Sequence, residues 1–108
     1  MIEHILVAGV HPERADELTR ALAGFCAEVL VELPTIVRCT SGPNFNPRSL
    51  AQGHTHGLYA LIPDDETLQR YLSCERHQAL VQHLDELGAV RFALDFRAEG
   101  LGTGAFSQ

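Results

Sequence analysis

The chain has 108 residues and a mass of 11.9 kDa, which corresponds to a single domain with room for a hydrophobic core. Hydrophobic residues make up 45% and charged residues 20%, a globular composition that argues against a disordered chain. Eight basic residues, all of them Arg, stand against fourteen acidic residues, and the formal net charge of −6 excludes a fold-wide basic surface for nucleic acid or anionic membrane.

The sequence carries no sign of a membrane or secretion signal. No apolar run approaches the about 18–20 residues that a transmembrane helix needs, and the first residues, 1–5, lack a basic segment. The absence of Lys beside many Ala, Leu and Gly is typical of a GC-rich, bacterial coding sequence. The cysteines Cys26, Cys39 and Cys74 are odd in number and widely spaced, so we expect reduced thiols in a cytoplasmic protein.

The first half of the chain predicts a strand, a helix and a second strand. Residues 2–10 are rich in β-branched and aliphatic side chains and predict a strand. Pro12 suits a first helical position, and apolar side chains then recur at positions 18, 21, 22, 25 and 29, which is one helical stripe. The helix must end before Pro34, and residues 35–41 predict the next strand.

The second half predicts two further strands around an interrupted helix. Turn-forming residues fill 42–49, residues 54–62 predict a strand, and Asp64 or Asp65 can cap the helix that follows. Its apolar positions shift in phase, from 68, 71 and 72 to 80, 84 and 87, so we expect two short helices joined near 73–75 and ended by Gly88. Residues 89–97 predict the last strand, and we expect residues 99–108 to be a poorly ordered, Gly-rich tail.

The predicted order is β-α-β-β-α-β, which is typical of the α+β, ferredoxin-like fold with a four-stranded antiparallel sheet and helices on one face. The other face of the sheet then needs a cover. Because Ile5, Val7, Tyr59 and Leu61 point to it, we expect a homodimer formed through this helix-free face.

Three histidines fall on apolar faces of three different elements. Strand alternation puts His4 with Leu6 and His56 with Leu58 on the side that the helices cover, and helical phase puts His77 there too. Each one alone is more often a hydrogen-bonded core residue, but together they favour a polar cluster in an apolar small-molecule site. If the helix is broken, Tyr71 can join this cluster.

Metal and cofactor motifs are weak. His54-x-His56 is half a metal site, and Cys74-x-x-His77 lacks the second pair of ligands that zinc needs. The glycines at 100, 102 and 104 follow the last strand and precede no helix, which is the wrong context for a dinucleotide loop. We therefore expect neither a metal nor a cofactor.

Short motifs along residues 1–98 give the chain a family resemblance. They are Met1-Ile2-Glu3-His4-Ile5, Ser41-Gly42-Pro43-Asn44, Thr55-His56, Tyr71-Leu72-x-x-x-x-His77 and Leu94-Asp95-Phe96. In order and spacing they resemble the stress-responsive A/B barrel family, or Dabb domain. The resemblance implies one domain over residues 1–98 that dimerises sheet to sheet into an α+β barrel.

The resemblance also implies site residues, since the family includes a plant polyketide cyclase. The positions matching Tyr71 and His77 are the catalytic pair there, and those matching His4 and His56 line the site. We add Leu6, Leu58 and Arg91 as substrate-binding residues that face the same pocket, with Arg91 making it more polar. The chain departs from the family at Cys74-Glu75-Arg76-His77, where His-Pro-x-His is common and the Pro supplies a helix breaker.

Three functions remain open. The first is a cofactor-free, aldol-type cyclase or isomerase that acts on a small carbonyl compound. His77 would be the general base, and Tyr71 would hydrogen-bond the developing enolate oxygen or hold His77 in place. The second is a non-catalytic stress-response or ligand-binding dimer, in which the histidines satisfy one another. The third is a cofactor-independent monooxygenase, an activity found among related dimeric barrels.

Overall fold

The fold is built on one antiparallel sheet of four strands in the order β2-β3-β1-β4. It is seen in a computed structural model, which describes residues 1–98. The strands and helices in chain order are β1 (Ile2–Gly9), α1 (Ala15–Glu32), β2 (Arg38–Pro43), α2 (Arg48–Ala51), β3 (His56–Ile62), α3 (Asp65–Ser73), α4 (Glu75–Glu86) and β4 (Val90–Arg97). This confirms the ferredoxin-like α+β fold, while the predicted tail, residues 99–108, lies outside the described residues.

Helix α1 packs on the sheet through the apolar stripe that its sequence predicts. Leu18, Leu22 and Val29 are almost completely buried, against Ala60 and Ile62 of the central strand β3. Burying a side chain of this size contributes about 1.5–3 kcal/mol to the free energy of folding. The helix ends at Glu32, two residues before Pro34, as predicted.

Both ends of the α3–α4 segment carry the predicted signals. Asp64 caps α3, with its Oδ1 accepting a hydrogen bond from the Thr67 N–H at 2.8 Å. Gly88 has a φ of +67° after α4, and the N–H groups of Gly88 and Ala89 donate to the carbonyls of Asp85 and Leu84. This double hydrogen bond is the Schellman motif that favours Gly at this position.

Strand β2 begins and ends later than predicted, at 38–43 rather than 35–41. Ile36 is buried, but its N–H donates to the Leu33 carbonyl in a turn that closes α1 onto the sheet. Pro43 lies inside the strand because β2 is an edge strand and pairs only with β3. Within 35–37 only Ile36 is buried by this turn, whereas Thr35 and Val37 are exposed, and the Val37 N–H already donates to the Leu61 carbonyl of β3 at 2.9 Å.

Strand β3 begins at His56 rather than at residue 54, because the preceding segment folds back on β1. The Thr55 N–H donates to the Ala8 carbonyl at 2.8 Å, and the Gly53 carbonyl lies so close to Gly9 that a Cβ there would be 1.8 Å from its oxygen. The short helix α2 occupies part of the predicted loop. Gly9 is thus required by a close approach that only the folded chain creates.

The sheet face without helices is apolar and exposed. It carries the four hydrophobic side chains of β4, namely Val90, Phe92, Leu94 and Phe96, of which every one is exposed. The predicted residues Ile5, Val7, Tyr59 and Leu61 are half-buried in strands β1 and β3 beside them. No helix within residues 1–98 is long and apolar enough to cross a bilayer.

Candidate active site

A cleft opens between the α3–α4 pair and the helix-side face of β1 and β4, and we call it the histidine cleft. Its volume is about 210 Å³, below the ~300–1,000 Å³ of ordinary ligand pockets, so it suits a small molecule. It is lined mainly by apolar side chains, and its polar groups come from both the sheet and the helices. The lining residues are His4, Leu6, Tyr71, Leu72, His77, Leu80, Val81, Leu84, Arg91, Phe92, Ala93 and Asp95.

Tyr71 and His77 meet in this cleft because the helix is broken between them. In one straight helix the six-residue spacing would turn their side chains about 120° apart around the axis. Instead Cys74 adopts an extended conformation, with φ −71° and ψ 156°, between the end of α3 and the start of α4. The two ring centroids are 5.1 Å apart. The predicted break at 73–75 is therefore confirmed.

Side chains close the break in place of a proline. The last carbonyls of α3 have no helical partners beyond the break, and side chains donate to the carbonyls of this last turn. The Ser73 hydroxyl donates to the Gln69 carbonyl at 2.8 Å, the Gln78 amide donates to the Ser73 carbonyl at 3.1 Å, and the Cys74 thiol contacts the Tyr71 carbonyl at 3.3 Å. The sequence thus keeps the joint without the family's usual Pro.

His4 is held by a carboxylate on the neighbouring strand. His4 and Asp95 are register partners of β1 and β4, and the Nδ1 atom of His4 lies 2.5 Å from Oδ1 of Asp95. This short, charge-assisted contact fixes the imidazole ring and leaves Nε2 for other partners. The His4 ring also packs edge-on against Tyr71, with centroids 5.0 Å apart.

Burial sets the ionisation of the two central side chains. Tyr71 is only 1% exposed, and Phe25 packs behind it with a ring-centroid distance of 5.7 Å. Burial raises the pKa of Tyr71 well above its ordinary range, with the nearby thiols adding to the effect. Burial, and then the positive form of His4, lowers the pKa of His77. At neutral pH the cleft therefore holds a protonated phenol beside a neutral imidazole.

The cleft includes most, but not all, of the predicted site residues. His4, Leu6, Tyr71, His77 and Arg91 line it, and the Arg91 guanidinium also binds Asp85 at 2.6 Å near the rim.

His56 and Leu58 do not line this cleft, which corrects the expected position of both. His56 is buried at the far end of β3, with its Nε2 2.7 Å from the Thr19 hydroxyl and its Nδ1 2.8 Å from the Thr55 hydroxyl. Both residues border a separate groove of about 730 Å³ beside the 43–54 segment. The two histidines share a sheet face, but His4 is opposite Ala60 and His56 is opposite Ala8. His56 is a satisfied core histidine.

Asp95 is the polar cleft residue that the sequence pattern did not predict. It was part of a family motif but was not assigned to the site. Strand alternation from Arg91 puts Asp95 on the same face, and only the register with β1 brings it to His4. Residues 1–98 contain no group of three or more His, Cys, Asp or Glu side chains arranged to hold a metal ion.

Comparison with known proteins places this fold in a family. A model of the stress responsive A/B barrel domain, Dabb, matches residues 2–98, whereas no curated protein sequence matches the chain. Among solved structures, the chain is similar to a dimeric, ferredoxin-like protein of unknown function from Bacteroides fragilis, with 17% identity over 90% of this chain and 95% of that chain and a TM-score of 0.74.

Two further structures are similar over nearly the whole chain. At3g17210 from Arabidopsis thaliana has 20% identity over 94% of this chain and 99% of its own, with a TM-score of 0.69. An antibiotic biosynthesis monooxygenase has 16% identity over 93% of this chain and 100% of its own, with a TM-score of 0.71. Identities this low show a common fold and leave the chemistry to be argued from the cleft.

Proposed function

The chain belongs to the stress responsive A/B barrel (Dabb) family, and we propose that it is a cofactor-free enzyme acting on a small carbonyl compound in the histidine cleft. The reaction class is aldol-type cyclisation or isomerisation. The observation that carries the proposal is the meeting of Tyr71 and His77, with ring centroids 5.1 Å apart, in a mostly apolar cleft that also holds the His4–Asp95 pair.

His77 is the general base of this proposal. It removes a proton from a carbon next to the substrate carbonyl, and the lowered pKa of its ring leaves a nitrogen lone pair free to do so at neutral pH. In a cyclisation, the resulting enolate carbon attacks a second carbonyl of the same molecule. The protonated His77 then returns its proton to the new alkoxide, so the base is regenerated.

Tyr71 stabilises the negative charge that forms on the substrate oxygen. Because burial raises the pKa of Tyr71, its hydroxyl stays protonated and donates a hydrogen bond to the enolate. His4 is a binding residue whose ring is oriented by Asp95. Arg91 at the rim binds polar substituents of the substrate through the guanidinium N–H groups that do not contact Asp85.

The same proposal includes a homodimer. The exposed hydrophobic side chains of β4 form a continuous apolar face with β1 and β3, and such a face favours a partner surface. Similar structures from Bacteroides fragilis, a Jannaschia species and Thermobifida fusca are described as dimeric, ferredoxin-like proteins. A second copy packed face to face would cover both sheets at once.

A non-catalytic, ligand-binding dimer is the second candidate. The groove of about 730 Å³ beside the 43–54 segment supports it. Its lining includes Ile5, Val7 and Tyr59 of the helix-free face, so in the homodimer a partner subunit would cover the groove and enclose a ligand. A third candidate is a monooxygenase with oxygen-dependent turnover, because the chain is similar in structure to an antibiotic biosynthesis monooxygenase.

Solvent deuterium exchange tests the proposal without knowledge of the natural substrate. A panel of small 1,3-diketones and aryl ketones is incubated with the protein in deuterium oxide, and loss of the α-proton signal is followed by NMR. We expect exchange above the buffer rate, a loss of about 100-fold or more in His77→Gln, and a large loss in Tyr71→Phe. His83→Gln is the matched control, since His83 is on the same helix but binds Glu17 outside the cleft.

The outcomes separate the candidates. Exchange that is unchanged in His77→Gln contradicts the assigned base. Binding of a panel compound in the larger groove, without exchange, supports the ligand-binding protein. Turnover that consumes oxygen supports the monooxygenase.

A further inference from the structure

Two of the three cysteines are in contact inside the core. Cys26 lies on α1 and Cys39 on the edge strand β2, and their Sγ atoms are 3.1 Å apart. Cys26 is 6% and Cys39 is 7% exposed, so both residues are buried. Neither is used by the proposed chemistry of the histidine cleft, and Cys74 is separate, with its thiol on the Tyr71 carbonyl.

The contact is close to what a disulfide requires. An S–S bond is about 2.05 Å long, so the two sulfur atoms need to approach by about 1 Å. They belong to elements that already pack against each other, α1 and β2. The bond would also close a loop that spans the end of α1 and the turn before β2. Closing this loop in the folded protein costs little conformational entropy, because its two ends are already in contact.

Cys26 has the surroundings of the attacking thiol. Hydrogen bonds from the Cys39 thiol and the Ser41 hydroxyl lower the pKa of Cys26 in spite of its burial, while the Cys26 sulfur and burial raise the pKa of Cys39. The pair therefore has one sulfur that favours the thiolate and one that keeps its proton. This division suits an oxidation in which Cys26 reacts first and Cys39 resolves the product.

We propose that Cys26 and Cys39 form a reversible disulfide when the protein meets hydrogen peroxide. The Cys26 thiolate attacks one peroxide oxygen, the O–O bond breaks, and the departing hydroxide takes up the proton released by Cys26 to become water. Cys26 is then a sulfenic acid. The Cys39 sulfur attacks the Cys26 sulfur, the S–S bond forms, the S–OH bond breaks, and the hydroxyl leaves as a second water with the Cys39 proton. Two thiols are oxidised and one peroxide is reduced.

The thiol pair lies directly behind the histidine cleft. Phe25, the residue next to Cys26, packs against Tyr71 and His77, with ring centroids 5.7 and 6.3 Å apart. A disulfide would tie this part of α1 to β2 directly behind Tyr71. We therefore expect formation of the disulfide to change the NMR signals of the Tyr71 and His77 rings.

The test measures the mass and the thiols of the folded, full-length chain after treatment with hydrogen peroxide. We expect the intact mass to fall by about 2 Da, two of the three titratable thiols to disappear, and a peptide map to join the Cys26 and Cys39 peptides. Dithiothreitol should restore all of them. The wild-type map alone decides the pairing, so the result does not depend on a variant that folds.

Variants sharpen the assignment. Cys26→Ala and Cys39→Ala should each abolish the 2 Da loss, whereas the matched control Cys74→Ala should keep it. A gain of oxygen atoms at one cysteine with no loss of about 2 Da, a bond that includes Cys74, or unmodified thiols at peroxide levels that oxidise free cysteine overturns the proposal.

Discussion

Replacing Phe92 by Asp should dissociate the proposed homodimer without unfolding the subunit. Phe92 borders the histidine cleft, but it alternates with Arg91 and Ala93, so its side chain belongs to the helix-free face of β4. Phe92 is 57% exposed, and its loss therefore leaves the core of the subunit intact. Fully burying a Phe side chain contributes about 1.5–3 kcal/mol. A dimer buries the exposed 57% of two Phe92 side chains, which together contribute about 2–3 kcal/mol to the free energy of dimerisation. This lowers the affinity about 30- to 140-fold, before the cost of burying two carboxylates.

Sedimentation velocity over a range of concentrations measures this change directly. The matched control is Val31→Asp, because Val31 is 81% exposed on α1, away from the sheet face. Circular dichroism should show both variants folded, with only Phe92→Asp monomeric. A wild-type chain that is monomeric at high micromolar concentration, or a Phe92→Asp chain with the wild-type dissociation constant, would refute the use of this face.

Two further predictions concern the stability of the subunit. Gly9→Ala should lower the free energy of unfolding by roughly 1–3 kcal/mol, because the new Cβ would lie 1.8 Å from the Gly53 carbonyl oxygen. Gly24 in α1 has open space around it, so Gly24→Ala should be neutral or stabilising in the same urea titration. Burial lowers the pKa of His56 and His77, so the unfolded chain binds more protons, and the free energy of unfolding should fall as the pH drops below about 6.5. Urea midpoints at pH 7 and 5 should differ less in His77→Gln than in the wild type, and equal differences would contradict this linkage.

Local patterns were enough to predict most of the fold. The stripe of α1, the alternation of the strands and the phase shift before residue 80 gave the elements and the helix break, because each depends on spacing within one segment. The bounds of β2 and β3 were wrong because tertiary contacts decide them. The turn at 34–37 closes onto the sheet, and the Gly53 carbonyl occupies space beside Gly9.

The candidate site was predicted only as far as strand and helix phase allow. Phase correctly put His4 and His77 on facing surfaces, but it gives a face and not a position along a strand. His56 lies four residues before Ala60, the partner of His4, in β3, a displacement of about 13 Å at the usual strand rise of ~3.3 Å per residue. Asp95 was missed for the complementary reason, because its contact with His4 depends on a register between distant strands.

The His4–Asp95 contact joins residues that are 91 positions apart. On a ribosome, which adds roughly 5–20 residues per second, His4 emerges several seconds before its partner has been made. Until β4 arrives, β1 has a free edge and the cleft lacks one wall, so a truncated or stalled chain can fold its helices and still have no working site. If the cleft is the proposed active site, activity appears only after β4 has paired with β1, so it would report that synthesis of the chain has passed β4.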